Sequence, residues 1–376
     1  MRILVVTKFY HPRTGGVETT VKHLCEHFVR SNHECTVVTM DRGQVGEEEI
    51  NGVNVVRFPV DSRALGGFNR PVWRYLASNL RQGRFDVVNI HQYHILLSAE
   101  AALLCRLRRL PYVFTTHYHG KGHTPLRNVL FRLYHPFGAV ALRGSRRIIC
   151  VSEHEKRRLA SDFRGLEKKF TVIPAGVKEF PGSGVERQRD ALLYVGRLME
   201  YKGLDKVLES MAVLRGRGLH VRLRVVGTGP DKDRLEKTAE GLGVGDRITW
   251  LGDVTEEQLE REYRSAAALV LLSSAEAYGL AVAEALSCGT PCVVADREAL
   301  TEFLSEPGVF GVRYPPDPVE VANVVQRLIA GGEIIKVGPL SDKVVSWRMV
   351  SERYLKVLTE AVGDVMSDSP GRRRTP

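Results

Sequence analysis

Two glutamates, Glu276 and Glu284, are separated by seven residues within the most informative segment of the chain. The apolar run 268–272 precedes them and Gly279 opens an apolar helical pattern, so we expect a strand, a loop and a helix start. Free backbone N–H groups at a helix start favour an anion, above all a phosphate. We therefore predict that Glu276 in the loop and Glu284 in the second helical turn bind hydroxyls on either side of a diphosphate. A helix cap and a surface salt bridge are their alternative roles.

Two cations and two glycines supply further groups that suit a phosphate. Arg197 and Lys202 follow the apolar run 191–195. A diphosphate needs two cations of this type, because charge-assisted hydrogen bonds to phosphate oxygens are strong. Solvated surface charge is the alternative for either side chain. Gly15 and Gly16 follow the first apolar run and would let the backbone approach a phosphate closely, although a simple turn explains them equally well.

Taken together, these motifs resemble the retaining glycosyltransferases of family four. The spacing G-R-x4-K-G around Arg197 and Lys202 and the spacing E-x7-E of Glu276 and Glu284 occur in the family's order. Residues 172–177 resemble the family's I-P-N-G-V segment, with an alanine where asparagine is usual. The resemblance covers nearly the whole chain and implies the GT-B fold.

The resemblance implies a role for each matching residue. Glu276 binds hydroxyls of the donor sugar, Glu284 binds the ribose hydroxyls, and Arg197 and Lys202 neutralise the diphosphate as it leaves. The other donor-binding residues that the resemblance implies are Gly15, Gly16, Gly227, Leu251, Tyr278, Gly279 and Leu280. Because two cations are available for the leaving group, we expect no metal and no other cofactor. The nucleotide sugar is the co-substrate.

A histidine at a strand end completes the predicted catalytic group. His117 ends the apolar run 111–116 and matches the family's strand-end histidine, which lies near the reacting sugar. The resemblance thus implies that His117 acts with Glu276, Arg197 and Lys202.

Other histidines lie close to this position in the sequence. His119 stands two residues further on, which leaves the assignment between the two histidines open. We predict that His91, Gln92 and His119 lie on the acceptor side, with a satisfied polar residue at a strand end as the alternative for His91 and Gln92. Histidines at this spacing can also ligate a metal, but no Cys or His framework surrounds them, so we predict no metal site.

Short β-branched runs alternate with amphipathic patterns along the chain, which indicates parallel sheets covered by helices on both faces. A break rich in Pro and Gly at 174–190 separates two such series. We therefore predict an α/β protein of GT-B architecture, with two Rossmann-like α/β/α domains facing across a cleft. Residues 1–177 form the acceptor-binding domain, residues 190–344 bind the nucleotide sugar, a helix at 345–363 returns to the first domain, and residues 364–376 form a disordered tail.

The predicted elements follow from the same patterns. The strands are 2–7, 34–40, 53–58, 86–91, 111–116, 147–151, 170–173, 191–195, 221–226, 247–251, 268–272 and 291–294. The helices are 17–30, 70–82, 95–108, 125–143, 153–163, 203–215, 231–242, 255–265, 279–288, 317–330 and 343–363.

Composition limits the class of protein. The 376 residues are 43% hydrophobic and 26% charged, which is ordinary for a soluble globular chain and excludes disordered and disulfide-scaffold classes. The net charge of +10 is uneven: residues 1–175 hold 27 Lys and Arg against 14 Asp and Glu, whereas residues 176–376 hold 27 against 30. The basic first half indicates an anionic partner. The six cysteines form no C-x-x-C pair, so we expect a reduced, cytoplasmic protein.

Residues 121–147 combine apolar positions at helical spacing with surrounding arginines. The apolar positions are Leu126, Val129, Leu130, Leu133 and Phe137. Residues 63–84 are similar, with arginines around Phe68, Trp73 and Tyr75. Such stretches suit the interface of an anionic membrane, and core-facing helices with a basic outer face are the alternative.

We therefore expect a peripheral enzyme on the cytoplasmic face of a membrane. It would move a hexosyl or N-acetylhexosaminyl unit from a UDP- or GDP-linked donor to a lipid or membrane-linked acceptor. The alternatives are the same donor chemistry on a soluble acceptor and a non-enzymatic GT-B adaptor subunit. The basic segments contain no recognised nucleic-acid-binding module, so no nucleic acid is expected.

Overall fold

The structure is a computed structural model that describes residues 1–41, 43–60, 69–80, 84–120, 125–178, 184–330 and 341–367. The chain divides into two units. The first holds residues 1–175 and 347–376, and the second holds residues 176–346. The first unit is therefore built from both ends of the chain, and the second from one continuous stretch.

The strands and helices of the described residues are as follows. The strands are β1 Arg2–Val6, β2 Glu34–Asp41, β3 Gly46–Ile50, β4 Val53–Pro59, β5 Val87–His91, β6 Tyr112–Thr115, β7 Arg147–Cys150, β8 Phe170–Val172, β9 Gly176–Val177, β10 Gln188–Val195, β11 Arg222–Val226, β12 Ile248–Gly252, β13 Ala266–Leu271, β14 Cys292–Asp296, β15 Val309–Arg313 and β16 Val345–Ser346. The helices are α1 Gly16–Arg30, α2 Arg70–Asn79, α3 Leu96–Arg108, α4 Pro125–Gly144, α5 Glu153–Asp162, α6 Leu204–Gly216, α7 Lys232–Gly241, α8 Glu256–Ser265, α9 Leu280–Ser287, α10 Pro318–Ala330 and α11 Trp347–Ser367.

The first unit is built on an eight-stranded sheet of order β3-β4-β2-β1-β5-β6-β7-β8. Its strand pairs are parallel apart from β3 with β4, which is antiparallel. The central strands are buried on both faces: β5 is buried at every position and β1 at all but Arg2. This explains why β1 is apolar after Arg2 and why β5 is largely apolar, apart from Asn89 and His91.

The second unit contains a six-stranded parallel sheet of order β12-β11-β10-β13-β14-β15. Helices follow most of its strands, in the alternation that gives a doubly wound sheet. Strand β10 lies in the middle, between β11 and β13. The order of the strands therefore reverses at β10, and the loops after β10, β11 and β13 start from the same edge.

The last helix, α11, completes the first unit. Its residues Val350, Tyr354, Leu358 and Ala361 are buried at helical spacing, and it packs on α1, β5 and β6. The ring of Trp347 at its first turn stacks on His23 of α1, with 4.8 Å between the ring centroids. The sequence predicts a helix from 343, but Val345–Ser346 instead pair with β9 as a short strand.

Several elements escaped the sequence patterns. Strand β3 is almost entirely exposed and carries three consecutive glutamates, so it lacks the apolar signal of a strand. Strand β15 lies at the edge of the six-stranded sheet, and the two-residue strands β9 and β16 pair only with each other. The disordered tail was predicted from 364, but α11 continues to Ser367 and Asp364 forms a 3.1 Å ion pair with Arg147. Residues 368–376 of that prediction lie outside the described residues.

Candidate functional site

The loops after β10 and β13 meet at the edge of the second sheet. The backbone N–H of Ser274 donates to the carbonyl of Tyr201 over 2.8 Å. Gly203 ends the first loop with φ 70°, and a Cβ there would lie 2.3 Å from the carbonyl oxygen of Leu272. Only glycine tolerates both this backbone conformation and this close approach. The two loops are thereby held against each other.

This contact brings Lys202 and Glu276 together. Nζ of Lys202 lies 2.6 Å from Oε1 of Glu276, and the two side chains are 15% and 13% exposed. Burial acts to lower the pKa of Lys202, but the neighbouring Glu276 carboxylate outweighs it and the pKa lies above its usual value. Lys202 is therefore a cation when the site meets a ligand.

Arg197 belongs to the same loop but stands in solvent. Its carbonyl oxygen accepts a 3.1 Å hydrogen bond from the hydroxyl of Tyr194, and its side chain is exposed. The loop also crosses the loop after β11, since the N–H of Leu198 donates to the carbonyl of Thr228 over 3.0 Å. Lys202 is thus mostly enclosed beside a carboxylate, whereas the exposed side chain of Arg197 can reach an anion from the solvent side.

The start of α9 lies directly after Glu276. Gly279 has φ 107°, and a Cβ there would lie 2.9 Å from Cδ2 of Leu300. Helix α9 begins at Leu280, and its N-cap residue Gly279 has no side chain that could accept a hydrogen bond from the N–H groups of the first turn. Tyr278 is buried, and its hydroxyl donates to the carbonyl of Lys343 over 2.6 Å. Tyr278 can therefore offer a ligand its backbone rather than its hydroxyl.

Glu284 lies in the second turn of α9, as predicted. The hydroxyl of Tyr263 in α8 donates to Oε2 of Glu284 over 2.8 Å. Burial raises the pKa of Glu284 to about 7, and the hydrogen bond from Tyr263 opposes that rise. Tyr263 is fully buried and was missed by the sequence analysis, because in the helical pattern of α8 it is indistinguishable from a core residue.

Gly227 and Leu251 lie at the ends of β11 and β12. The N–H of Gly227 donates to the carbonyl of Gly252 over 2.7 Å. Gly227 has φ 121°, and a Cβ there would lie 2.1 Å from the carbonyl oxygen of Gly196. Glycine is thus required here by the neighbouring strand end. Leu251 is half-buried beside this crossing. The structure therefore brings Gly227 and Leu251 to the same edge of the sheet as Lys202 and Glu276.

Gly15 and Gly16 lie in the first unit, where Gly15 precedes α1 and Gly16 is its first residue. Gly15 is extended, and a Cβ there would meet only the carboxylate end of the flexible Glu18 side chain, so the structure does not require a glycine at this position. Nothing within 4 Å would meet a Cβ at Gly16. The close approach to a phosphate at Gly16 therefore stays a prediction.

The predicted histidines gather at the ends of β5 and β6. His91 Nδ1 lies 3.3 Å from His117 Nε2, and His91 Nε2 lies 2.6 Å from Asn89 Oδ1. Burial lowers the pKa of His91 well below its usual value and lowers that of His117 to about 3. Both rings are neutral at physiological pH. His119 is half-buried nearby, with 6.4 Å between its ring centroid and that of His94.

The side chain of Gln92 forms a hydrogen bond with the backbone of the first unit. Its φ is 68°, and its Oε1 accepts a 3.0 Å hydrogen bond from the N–H of Lys8, just after β1. This hydrogen bond gives Gln92 a structural role, and its predicted acceptor-side role stays a prediction. In the part of the chain that the structure describes, no three His, Cys, Asp or Glu side chains are grouped to hold a metal ion.

A buried carboxylate supports His117 and was not singled out from the sequence. Glu155 of α5 accepts from the hydroxyl of Thr116 over 2.6 Å and from the backbone N–H groups of Tyr118 and Val151. His117 itself has φ 46°, in the left-handed region. Burial raises the pKa of Glu155 to about 7. The residues on both sides of His117 are thus tied to one side chain.

Helix α4 exposes an apolar stripe. Val129, Leu133 and Phe137 are 54%, 66% and 65% exposed, and Leu130 and Val140 lie beside them. Large apolar side chains normally pack into the core, so a stripe of this length marks an interaction surface. The membrane interpretation of 121–147 stays a prediction. Leu126 lies outside the described side chains.

The second basic stretch behaves differently. Trp73 and Tyr75 of α2 are half-buried and pack against the core of the first unit. The core-facing alternative is therefore correct for these two aromatic residues. Phe68, Arg63 and Arg81 of that prediction lie outside the described residues.

Comparison with known proteins identifies the family. The family described as Glycosyltransferase Family 4 matches residues 14–179, and the one described as Glycosyl transferases group 1 matches residues 178–334. The chain belongs to the family-four glycosyltransferases. It is an enzyme of the glycosyltransferase class, and the predicted family and the predicted α/β fold with two Rossmann-like sheets are confirmed.

Two relatives and one solved structure are similar to this glycosyltransferase over most of its length. An uncharacterized glycosyltransferase of Methanocaldococcus jannaschii is 28% identical, over 88% of this chain and 89% of its own. The GDP-mannose-dependent alpha-(1-6)-phosphatidylinositol dimannoside mannosyltransferase of Mycobacterium tuberculosis is 26% identical, over 89% of each chain. The crystal structure of HepE from Anabaena in complex with UDP and glucose has a TM-score of 0.73 at 17% identity, over 98% of this chain and all of that one. This glycosyltransferase has no helix among its described residues that is long and apolar enough to span a bilayer.

Proposed function

We propose that this glycosyltransferase moves a hexosyl or N-acetylhexosaminyl unit from a UDP- or GDP-linked sugar to a hydroxyl of a lipid or membrane-linked acceptor, with retention at the anomeric carbon. The observation that carries the donor part is the cluster at the edge of the second sheet. There the buried ion pair of Lys202 and Glu276 joins the loops after β10 and β13. The start of α9 at Gly279 and the carboxylate of Glu284 in its second turn follow directly.

Each group of this cluster has a place in the reaction. The carboxylates of Glu276 and Glu284 accept hydrogen bonds from sugar and ribose hydroxyls, because ionised carboxylates are acceptors only. Lys202 and Arg197 meet the negative charge that develops on the diphosphate as the bond to the anomeric carbon breaks. Such preorganised charge stabilisation is commonly the largest single catalytic effect. The cations replace a divalent metal in this scheme, so the proposed reaction is metal-independent.

The bond changes of the proposed transfer balance without a further reactant. The bond between the anomeric carbon and the diphosphate oxygen breaks, and a bond from the acceptor oxygen to the same face of that carbon forms. The proton of the acceptor hydroxyl passes to the leaving phosphate. The retaining stereochemistry rests on the family resemblance, and Glu276 is a sugar-binding group rather than a covalent nucleophile.

The exposed stripe of α4 supports a lipid acceptor. Helix α4 carries arginines beside the stripe and no Asp or Glu along its length, and α3 adds the exposed Leu103 and Leu107. Apolar side chains flanked by arginines match the apolar and anionic layers of a membrane surface. The phosphatidylinositol-directed activity in the name of the Mycobacterium tuberculosis relative points the same way. We therefore place the enzyme at the cytoplasmic face of an anionic membrane.

Calorimetric titration of the purified protein with UDP, GDP and ADP tests the donor site. We expect one nucleotide to bind, and the Glu284→Ala variant to lose that binding. The matched control is Glu209→Ala, which removes a solvent-facing glutamate of α6 paired with Lys206. If the nucleotide binds both variants equally, Glu284 does not hold the ribose. If no nucleotide binds the wild-type protein even with anionic vesicles present, the adaptor alternative replaces the enzyme proposal.

A further inference from the structure

The side chain of Asn89 has only one orientation that satisfies its neighbours. Its Nδ2 lies 3.4 Å from the carbonyl oxygen of Val113 and 3.2 Å from Oγ1 of Thr115. A carbonyl oxygen accepts but never donates, so the atom facing it must be the NH2 group of the amide. Oδ1 of Asn89 is therefore the atom that faces His91.

This orientation determines which nitrogen of His91 carries a proton. Oδ1 of Asn89 is 2.6 Å from Nε2 of His91 and can only accept, so Nε2 carries the hydrogen. Burial keeps the ring neutral, as its low pKa indicates. A neutral imidazole has one N–H, so Nδ1 of His91 holds a lone pair.

The same reasoning extends to His117. Nδ1 of His91 lies 3.3 Å from Nε2 of His117, and a lone pair needs a donor opposite it. Nε2 of His117 therefore carries the proton. The ring of His117 is neutral as well, because burial and the neighbouring His119 both lower its pKa. Nδ1 of His117 is left as a hydrogen-bond acceptor.

Contacts on both sides of His117 fix the backbone from which its ring extends. Glu155 holds Thr116 and Tyr118 on either side of it, and the left-handed φ of 46° persists because these contacts over-determine the turn. The second nitrogen of a histidine commonly fixes the tautomer of the first in functional sites.

We infer that Asn89 and His91 are positioning residues that hold His117 in the tautomer whose Nδ1 accepts a hydrogen bond. Any substrate group that meets this atom must therefore donate one. The inference rests on the proposed function for the view that His117 faces the reacting sugar. Within that function it selects sugars with a hydroxyl at this point and rejects uronic acids that place a carboxylate there, since both groups would then be acceptors.

The tautomer can be measured without any activity. Ring ¹⁵N spectra of protein labelled at histidine distinguish a protonated nitrogen from an unprotonated one by chemical shift, and the His117→Gln and His91→Gln variants assign the signals. We expect protonated Nε2 and unprotonated Nδ1 for both rings, unchanged between pH 6 and pH 8. A protonated Nδ1 on His117, or a ring that titrates in this range, overturns the inference. If one variant folds poorly, the variant that folds assigns its own ring, and the close contact of the two rings, 5.6 Å between their centroids, assigns the other.

A second measurement tests the consequence for the reaction. His91→Phe keeps an aromatic ring but removes both imidazole nitrogens, so Nε2 of His117 loses its acceptor. We expect kcat to fall about tenfold with little change in the donor KM. The control is His220→Gln, an exposed histidine of the second unit that we expect to be silent. Equal kcat in His91→Phe and wild type, or equal use of the nucleotide-linked hexose and its uronic acid, contradicts the positioning role. Absence of nucleotide binding would instead refute the proposed function and leave the tautomer result standing.

Discussion

The ammonium group of Lys202 lies 2.6 Å from Oε1 of Glu276, so the two residues whose predicted partners are a phosphate and a sugar form an ion pair with each other. Both side chains are mostly enclosed, and an enclosed charge needs a partner. The ion pair therefore holds both side chains in place before a donor arrives. A donor brings its own anion for Lys202 and its own hydroxyls for Glu276, so it can replace the contact without leaving either group unpaired.

Replacement of Lys202 by alanine tests this pair. We expect kcat of Lys202→Ala to fall about 100-fold, because one cation is lost from the departing diphosphate. Acceptor KM should change much less. Initial rates at saturating donor measure both values. Lys206→Ala is the matched control, since Lys206 pairs with Glu209 on the solvent face of α6. An unchanged kcat in Lys202→Ala would sink the phosphate role.

The affinity for the nucleotide should depend on pH through Glu284. Burial raises its pKa to about 7, so its carboxyl is protonated at pH 6 and ionised at pH 8. Only the ionised form accepts hydrogen bonds at both oxygens. We therefore expect nucleotide binding to strengthen as the pH rises from 6 to 8, measured by calorimetry. Affinity that is flat across this range contradicts the assignment.

Tyr263→Phe refines the pH prediction. The hydroxyl of Tyr263 stabilises the ionised form of Glu284, so its removal should raise the pKa of that carboxyl further. The midpoint of the binding curve should then move to higher pH, while Glu284→Ala should show no midpoint. A shift to lower pH in Tyr263→Phe means that another group titrates.

Gly279 should be sensitive to the smallest side chain. Gly279→Ala places a Cβ 2.9 Å from Leu300 and 3.2 Å from Phe303, at a φ of 107°. We expect a loss of about 1–3 kcal/mol in the free energy of unfolding, seen in thermal or urea melts. Gly363→Ala is the matched control because nothing lies within 4 Å of its Cβ in helix α11, and it should gain roughly 0.5–1 kcal/mol. Equal melting curves for the two variants would show that the start of α9 relaxes freely.

The stripe on α4 should carry membrane binding. Sedimentation with anionic vesicles at low salt should retain the wild-type protein, and the double variant Leu133→Asp, Phe137→Asp should stay in solution. Burying each apolar side chain contributes about 1.5–3 kcal/mol, and two aspartates add repulsion from the anionic surface. Val319→Asp is the control, since Val319 is an exposed apolar residue of the second unit.

Two results of the vesicle experiment would count against the membrane proposal. Retention of the double variant would move the binding surface elsewhere. Failure of the wild-type protein to bind any anionic vesicle would favour the soluble-acceptor alternative. Nucleotide affinity should be the same in the double variant as in wild type, which separates membrane binding from donor binding.

Local patterns were sufficient for the central sheets and for the donor motif. Strands such as β1 are buried on both faces and appear as apolar runs, and Lys202 and Glu276 each follow such a run closely. Strand β3 has no such signal, because its glutamates face solvent and its partner β4 supplies the pairing. The sequence therefore predicts strands that are buried, because burial requires apolar residues, and misses exposed strands that are defined only by pairing with a neighbour.

The supporting contacts of the site could not be predicted from the sequence. Tyr263 meets Glu284 from another helix, and Glu155 meets Thr116 and Tyr118 from a helix well along the chain. Asn89 is a polar residue within a largely apolar strand. Its role follows only from its hydrogen bonds to Val113 and His91 in the folded structure. These partners become neighbours only through strand pairing and helix packing, so their spacing in the sequence carries no pattern.

The packing of α11 sets an order of events during synthesis on the ribosome. The second unit is complete in one continuous stretch that ends at Ser346, so it can fold while α11 is still being translated. The first unit is made first but lacks its last helix until the end, and the face of α1 that receives Trp347 waits uncovered. The nascent first unit therefore stays incomplete longest, and truncations near residue 346 should harm that unit rather than the one they adjoin.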